Sequence, residues 1–489
     1  MIFRMNMNEA VLSKTAARCR ERGVTIPTFA QMRDPSRIPE AVTTRLRQVG
    51  LWDVDPVNLY RITWKNEPVA KGGLYGDGNW IEFPSSLTGV EARIIGIVGK
   101  WFPTGAHKVG AAFGCIVPRL VTGQFDPTAQ KAVWPSTGNY CRGGAFDCAL
   151  LGCTAVGILP EEMSRERFEW LREIGAEVIA TPGCESNVKE IYDKCWEIRR
   201  TRPDCVIFNQ FEEFGNAIWH YHTTGAILDE IFQRIAGDGR TRLRFSGFVS
   251  ATGSAGTIAA GDFLKTQHPN LRIVACEALQ CPTLLQTGFG GHRIEGIGDK
   301  HVPWIHNVRN TDVVSAIDDE QCMALIRLFN EPTGQQFLIQ EGVSPQVVSQ
   351  LQLVGISGAC NLASAVKTAK MFDMDGRDVI MLPLTDSMGL YQSRLEELVE
   401  QRGPYSPVKA ARDFERWMRG MTPDYIRELT YHDRKALHNF KYFTWVEQQQ
   451  RDVEDLRKLW DPDFWTETWS QVDEWDRLIE SFNERVRAG

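Results

Sequence analysis

The 489-residue chain reads as an α/β protein of two domains, each an open twisted sheet flanked by helices, with a helical extension at its C-terminal end. Length is the first reason, because a single core stops growing well below this size and the chain then divides. Rhythm is the second. Short β-branched apolar runs alternate with helical patterns through the middle of the chain, as in parallel sheets covered by helices. The third is a change of composition after Arg402-Gly403-Pro404, where Trp417, Trp445, Trp460, Trp465, Trp469 and Trp475 stand among many charges.

The elements follow in order. Ala132-Val133-Trp134 reads as a strand that meets the turn Ser136-Thr137-Gly138-Asn139, and the small residues from Gly143 to Leu151 read as the next helix. Thr154 to Leu159 is another strand. Ser164 stands at an N-cap position, Phe168, Leu171 and Ile174 recur at helical spacing, and Gly175 closes that helix before the strand Glu177 to Ala180. A second series runs from Phe248-Val249-Ser250 through a glycine-rich turn to a helix opening at Ile258, then to the strands Arg272 to Cys276 and Asp378 to Pro383. The tail predicts helices whose Trp rings anchor on the main body or on a subunit partner. Basic residues do not cluster among those rings, which argues against stacking on nucleic acid.

Composition narrows the function. With 43% hydrophobic and 24% charged residues the chain is ordinary globular material. A formal charge of −7 without long single-sign runs gives no footprint for nucleic acid. No stretch approaches the roughly 20 apolar residues of a membrane span, and Met1 to Arg20 lacks the apolar segment of a secretory signal. The 12 Cys include no CxxC pair and no Cys/His cluster at zinc spacing, so a cytoplasmic protein with reduced thiols and no metal site is expected.

Two segments carry chemistry on their own. Thr104-Gly105-Ala106-His107-Lys108 places a lysine at the opening of an apolar helix, where desolvation would free its amine to attack an aldehyde. A surface lysine fits the same local pattern, and His107 reads as its packing or hydrogen-bonding neighbour. Gly253-Ser254-Ala255-Gly256-Thr257 joins a strand to a helix, and small residues there let N–H groups converge on a phosphate. It lacks the Lys-Ser/Thr ending of a nucleoside triphosphate loop and is not GxGxxG. A tight turn is its other reading.

Met163 to Ile179 resembles the small-domain helix and strand of cysteine synthases and cystathionine β-synthases. So do Asn209-Gln210-Phe211 with His222-Thr223-Thr224-Gly225, Ile294-Glu295-Gly296-Ile297-Gly298 with Pro303, and Val354 to Leu362. Thr104 to Lys108 is similar to the lysine motif of the tryptophan synthase β subunit. The matches keep their order from about residue 90 to residue 395.

This resemblance implies a tryptophan synthase β-like enzyme of pyridoxal 5′-phosphate (PLP) fold type II. Lys108 would carry PLP as a Schiff base and move protons, and Asn139 would hydrogen-bond the 3′ oxygen of the cofactor. Ser136, Thr137, Gly138 and Gln210 would bind the substrate carboxylate, Gly253, Ser254, Ala255, Gly256 and Thr257 the phosphate, while Gly296 lines the substrate entrance. Ser387, in Asp386-Ser387-x-x-x-Tyr391, would meet the pyridine nitrogen, with Thr385 and Asp386 as the alternatives. A hydroxyl there makes a weaker electron sink than a carboxylate does. The implied reaction is β-elimination or β-replacement on a small, O-activated or sulfur-containing amino acid through α-aminoacrylate. A carboxylate partner would instead favour a racemase or isomerase. A non-catalytic binding protein of the same fold is opposed by intact Lys108, Asn139 and Gln210.

The resemblance also implies a homodimer, a large PLP-binding domain of residues 81–125 and 213–403, and a small mobile domain of residues 126–212. Residues 1–80, an extension expected to pack on the large domain, and 404–489, the Trp-rich extension, have no part in the resemblance. One departure stands out. Tyr140-Cys141-Arg142 replaces a small Thr-Gly pair of cysteine synthases. Arg142 could meet a second acidic group on the substrate or be structural, and Cys141 is reactive only if exposed with a depressed pKa.

Overall fold

Runs of apolar, β-branched residues become the strands of two sheets. The computed structural model describes residues 7–136, 138–161, 165–183, 188–237, 242–298 and 300–488, with the backbone alone at 165–167 and 188. In chain order the strands are β1 Trp80–Phe83, β2 Arg93–Val98, β3 Lys131–Pro135, β4 Thr154–Pro160, β5 Glu177–Thr181, β6 Cys205–Ile207, β7 Arg244–Ala251, β8 Arg272–Ala278, β9 Val313–Ile317, β10 Asp378–Leu384 and β11 Ile426–Glu428. The smaller sheet has the order β5-β4-β3-β6 and is parallel throughout. The larger has the order β1-β2-β10-β7-β8-β9-β11. It is parallel from β2 to β9, with antiparallel β1 and β11 on its edges. β9 and β10 are buried along their whole length, as strands covered on both faces must be.

The helix Lys108–Leu120 is drawn close to Phe214–Trp219 by two facing glycines. A Cβ on Gly215 would lie 2.0 Å from the Gly114 carbonyl oxygen, and one on Gly114 would lie 2.3 Å from that of Gly215. Most expected elements match within a residue or two, with two differences, the first being that β7 starts at Arg244, four residues before Phe248. The helix after β3 runs Asn139–Leu151, so it starts four residues before Gly143 and brings its N-terminus to the end of the strand. Gly175, at φ 86°, does follow the helix Arg165–Glu173. Ser164 lies outside the described residues.

The Trp-rich extension packs on the body of the same chain. Trp445 Nε1 donates to the Val302 carbonyl at 2.8 Å, and Lys441 Nζ donates to the carbonyls of Trp304 and His306 at 2.9 and 2.7 Å. The long helix Pro462–Ala488 lies against Glu9–Glu21 and sets Trp475 beside Phe29, ring centres 5.7 Å apart. Asp476 accepts from the N–H groups of Phe29 and Ala30 at 2.6 and 3.0 Å, at the start of the short helix Phe29–Arg33. Asn483 both accepts from Ile26 N at 2.9 Å and donates to Ile26 O at 2.7 Å. Among the described residues no helix is long and apolar enough to cross a membrane.

Candidate active site

Three parallel strands deliver their C-terminal ends to one cleft. β3 leads into Ser136, β7 into the glycine loop and β10 into Thr385, so the walls come from both sheets. Strand C-termini are where open α/β sheets bind ligands. On the wall of the cleft stand Lys108, Ser136, Gly138, Asn139, Gln210, Gly253, Ser254, Ala255, Thr257 and Gly296, all expected from the sequence. Gly256 lies behind the wall. Thr137 falls outside the described residues.

Lys108 opens its helix at a strained bend. Thr104 and Gly105 before it have φ of 67° and 71°, a left-handed conformation that costs a threonine on the order of 1–3 kcal/mol and persists only where the surroundings enforce it. The Lys108 amine, half-buried, donates to Ser254 Oγ at 3.2 Å and Gln210 Oε1 at 3.4 Å. Gln210 in turn donates to Ser136 Oγ at 3.2 Å, and Asn216 Nδ2 reaches Ser254 Oγ and the Gln210 carbonyl, both at 3.0 Å. One network thus ties the lysine to both sheets.

The loop from Gly253 to Thr257 turns on Ala255, a second non-glycine residue at positive φ, 60°. Its backbone N–H groups donate to no acceptor among the described residues, and the helix Ala259–Gln267 starts just beyond. Converging N–H groups before a helix N-terminus suit an anion. At the two glycines of the loop a side chain is excluded. A Cβ on Gly253 would lie 2.8 Å from the Gly296 carbonyl, and one on Gly256 would lie 1.9 Å from Asn216 Oδ1.

At the end of β10 the structure brings Thr385 to the wall rather than Ser387. Pro383 and Thr385 share a face by the two-residue period of a strand, whereas Ser387 has passed into the turn that starts the 3₁₀ segment Met388–Leu390, buried away from the cleft. Asp386 faces the Gly355 backbone and the N-terminus of the helix Ile356–Met371, where a Cβ on Gly355 would meet its Oδ1 at 1.9 Å. Its Oδ2 accepts from Asn139 Nδ2 and from the Tyr391 hydroxyl, each at 2.6 Å. A carboxylate at a helix N-terminus with two donors is well accommodated.

The neighbours of Asn139 have structural roles. Cys141 is fully buried, and burial pushes its thiol up to about 12, so it is not a reactive thiol. Arg142, also buried, lies over the Trp170 and Trp52 rings at 4.8 and 5.6 Å. His107 packs on His220 and Trp64. Ser250, Asn361, Ser357 and Glu295 also line the cleft. Sequence reasoning gave them no role, although three of them sit in segments that carried the resemblance.

PLP fits this donor set. Asn139 Oδ1, Ser250 Oγ and Asn361 Oδ1 are buried on the wall without hydrogen-bond partners among the described residues, and such atoms call for a polar occupant. The glycine loop offers N–H groups for a phosphate, and Lys108 offers an amine for an aldehyde. Comparison with known proteins agrees. Residues 102–386, more than half of the chain, match the family described as pyridoxal-phosphate dependent enzyme. The cysteine synthase of Staphylococcus aureus (strain Mu50 / ATCC 700699) is 30% identical over 282 residues, covering 58% of this chain and 82% of that protein. The probable cysteine synthase of Bacillus subtilis (strain 168) is 28% identical over 274 residues, 56% of this chain and 80% of that one. Among solved structures, O-acetyl serine sulfhydrylase isoform 3 from Entamoeba histolytica shares the fold with a TM-score of 0.57 at 20% identity, covering 72% of this chain and 98% of that one. The O-acetylserine dependent cystathionine β-synthase from Helicobacter pylori does so with 0.54 at 23%, covering 65% and 95%. With Lys108, the glycine loop and Thr385 all inside the matched span, the chain belongs to the pyridoxal-phosphate dependent enzyme family.

Proposed function

We propose that this enzyme carries out β-replacement on a small amino acid, taking an O-activated serine and a sulfur nucleophile, in the manner for which its cysteine synthase relatives are named. The observation that carries the reading is the meeting of Lys108, Ser136, Asn139, Gln210 and Thr385 in one cleft backed by the glycine loop. Bound PLP supplies an aldehyde for imine formation and a ring that draws electrons from Cα. Gly253 to Thr257 hold its phosphate through backbone N–H groups and the helix N-terminus. Lys108 would anchor it, and its amine, when free, would take the α-proton. Ser254 and Gln210 keep the lysine amine aimed into the cleft. Ser136 and Gly138, next to the N-terminus of Asn139–Leu151, bind the substrate carboxylate with Gln210, a role that the sequence motif extends to Thr137, and Gly296 borders the entrance.

Asn139 positions the ring, its amide held by Asp386. Thr385, on the wall where Ser387 is not, would meet the ring nitrogen. The chemistry is unchanged by that exchange, because a hydroxyl cannot keep the nitrogen protonated as a carboxylate does. Departure of a β substituent would then be favoured over reprotonation at Cα. Engagement of Asp386 with Asn139 and Tyr391 removes the main support for racemisation. The same reading makes the protein a cytoplasmic homodimer in which residues 126–212 move as a small domain against 81–125 and 213–403.

The test is to supply holoenzyme with O-acetylserine and sulfide and to measure cysteine. Pyruvate from O-acetylserine alone would mark an eliminating lyase. Conversion of L- to D-amino acid with the β substituent retained would overturn the reading.

A further inference from the structure

Behind the glycine loop, Thr257 is approached by two buried histidine rings. Its Oγ1 lies 3.3 Å from His107 Nε2 and 3.4 Å from His220 Nε2. His220 Nδ1 is 2.8 Å from Thr224 Oγ1, which is itself 2.8 Å from Trp64 Nε1. All five residues are buried. Trp64 lies in the N-terminal segment, before the residues that match the family.

The chemistry of these groups fixes the direction of each bond. An indole N–H only donates, so Thr224 Oγ1 accepts from Trp64. The buried Thr224 hydroxyl proton finds its acceptor in His220 Nδ1, which leaves the proton of that ring on Nε2, facing Thr257. His107 Nδ1 has no partner among the described residues. Orphaned buried donors are rarer than under-satisfied acceptors, so the His107 proton also sits on Nε2 and faces Thr257. Burial holds both rings well below the usual histidine range, so each is neutral with one N–H to give. Thr257 Oγ1 thereby accepts twice, and its own proton is left for the cleft, whose wall it forms.

We propose that Trp64, Thr224 and His220 form a one-way hydrogen-bond relay that, with a parallel bond from His107, makes the Thr257 hydroxyl a committed donor to the cofactor phosphate. Trp64 is thus a positioning residue through which the N-terminal segment sets cofactor retention. The inference rests on the assignment of the loop to phosphate.

Three readouts on holoenzyme test it: the PLP dissociation constant by equilibrium dialysis, the phosphorus-31 resonance of the bound cofactor, and nitrogen-15 spectra of histidine-labelled protein. Wild type shows both rings as Nε2–H tautomers. Thr224→Val, nearly isosteric, releases the His220 tautomer, moves the phosphorus resonance and weakens PLP about five-fold, the worth of one neutral hydrogen bond. Trp64→Phe acts in the same direction, and Thr224→Ser restores wild-type behaviour. If Thr257→Val weakens PLP while Thr224→Val leaves the resonance, tautomers and affinity unchanged, the relay is overturned and the loop assignment stands. If Thr257→Val changes neither affinity nor resonance, the loop assignment falls and takes the relay with it.

Discussion

A valine side chain at position 256 has nowhere to go, because its Cβ would stand 1.9 Å from Asn216 Oδ1 and Asn216 in turn holds Ser254 beside Lys108. Overpacking of this kind costs about 1–3 kcal/mol. If that cost falls on the holo form, Gly256→Val weakens PLP roughly 5- to 150-fold by the same principle, which dialysis against free cofactor measures. Borohydride reduction followed by peptide mapping should place the pyridoxyl group on Lys108, and a label on another lysine would end that assignment. Thr385→Ala should retain PLP and lower kcat about five-fold through loss of a neutral hydrogen bond. Ser387→Ala, buried off the wall, should leave kcat nearly unchanged, and the reverse result would restore Ser387 to the ring nitrogen. Cys141 should resist alkylation at pH 8 until the protein is unfolded, given its burial and raised pKa. At this scale the sequence pointed to most of the residues that line the cleft, since local motifs contain them, but not to Ser250, Ser357, Asn361 or Glu295, and it put Ser387 where Thr385 stands. It did not show their pairings. The bond between Asn139 and Asp386 spans 247 positions, and nothing near either residue announces it.

Strands buried on both faces were the most legible elements, because continuous apolar runs such as those of β4 and β10 have no other simple home. β6, three half-buried residues, has too short a run to signal anything, and the edge strand β11 is mostly exposed. The early start of Asn139–Leu151 was hidden by the polar turn residues before it. That start matters, since it carries the helix N-terminus to the expected carboxylate site. Distant capping was likewise illegible. Asp476 caps the helix Phe29–Arg33 from 447 positions away, as a partly buried carboxylate accepting two N–H groups. Asp476→Ala should cost about 1.5–3 kcal/mol, typical of hydrogen bonds to a charged group. Thermal unfolding would show it as a lower Tm, and an unchanged Tm would mean that the cap contributes nothing.

The whole molecule is held together by its ends. Trp445, Trp475, Ile479 and Phe482 of the extension are buried against the body and the N-terminal helices, so the aromatic spacing in the sequence did announce anchors, though not their targets. Ending the chain at residue 403 uncovers those surfaces. The truncated protein should be insoluble or lose its near-ultraviolet circular dichroism, whereas a soluble, PLP-binding fragment would show the extension to be dispensable. The clasp between Ile26 and Asn483, 457 positions apart, also orders events on the ribosome. At about 5–20 residues per second, the first helices wait roughly 20–90 s for the helix that covers them. During that interval Phe29, which packs on Trp475 in the finished protein, lacks that partner. The helix Glu9–Glu21 therefore reaches its final packing only once Pro462–Ala488 has been made.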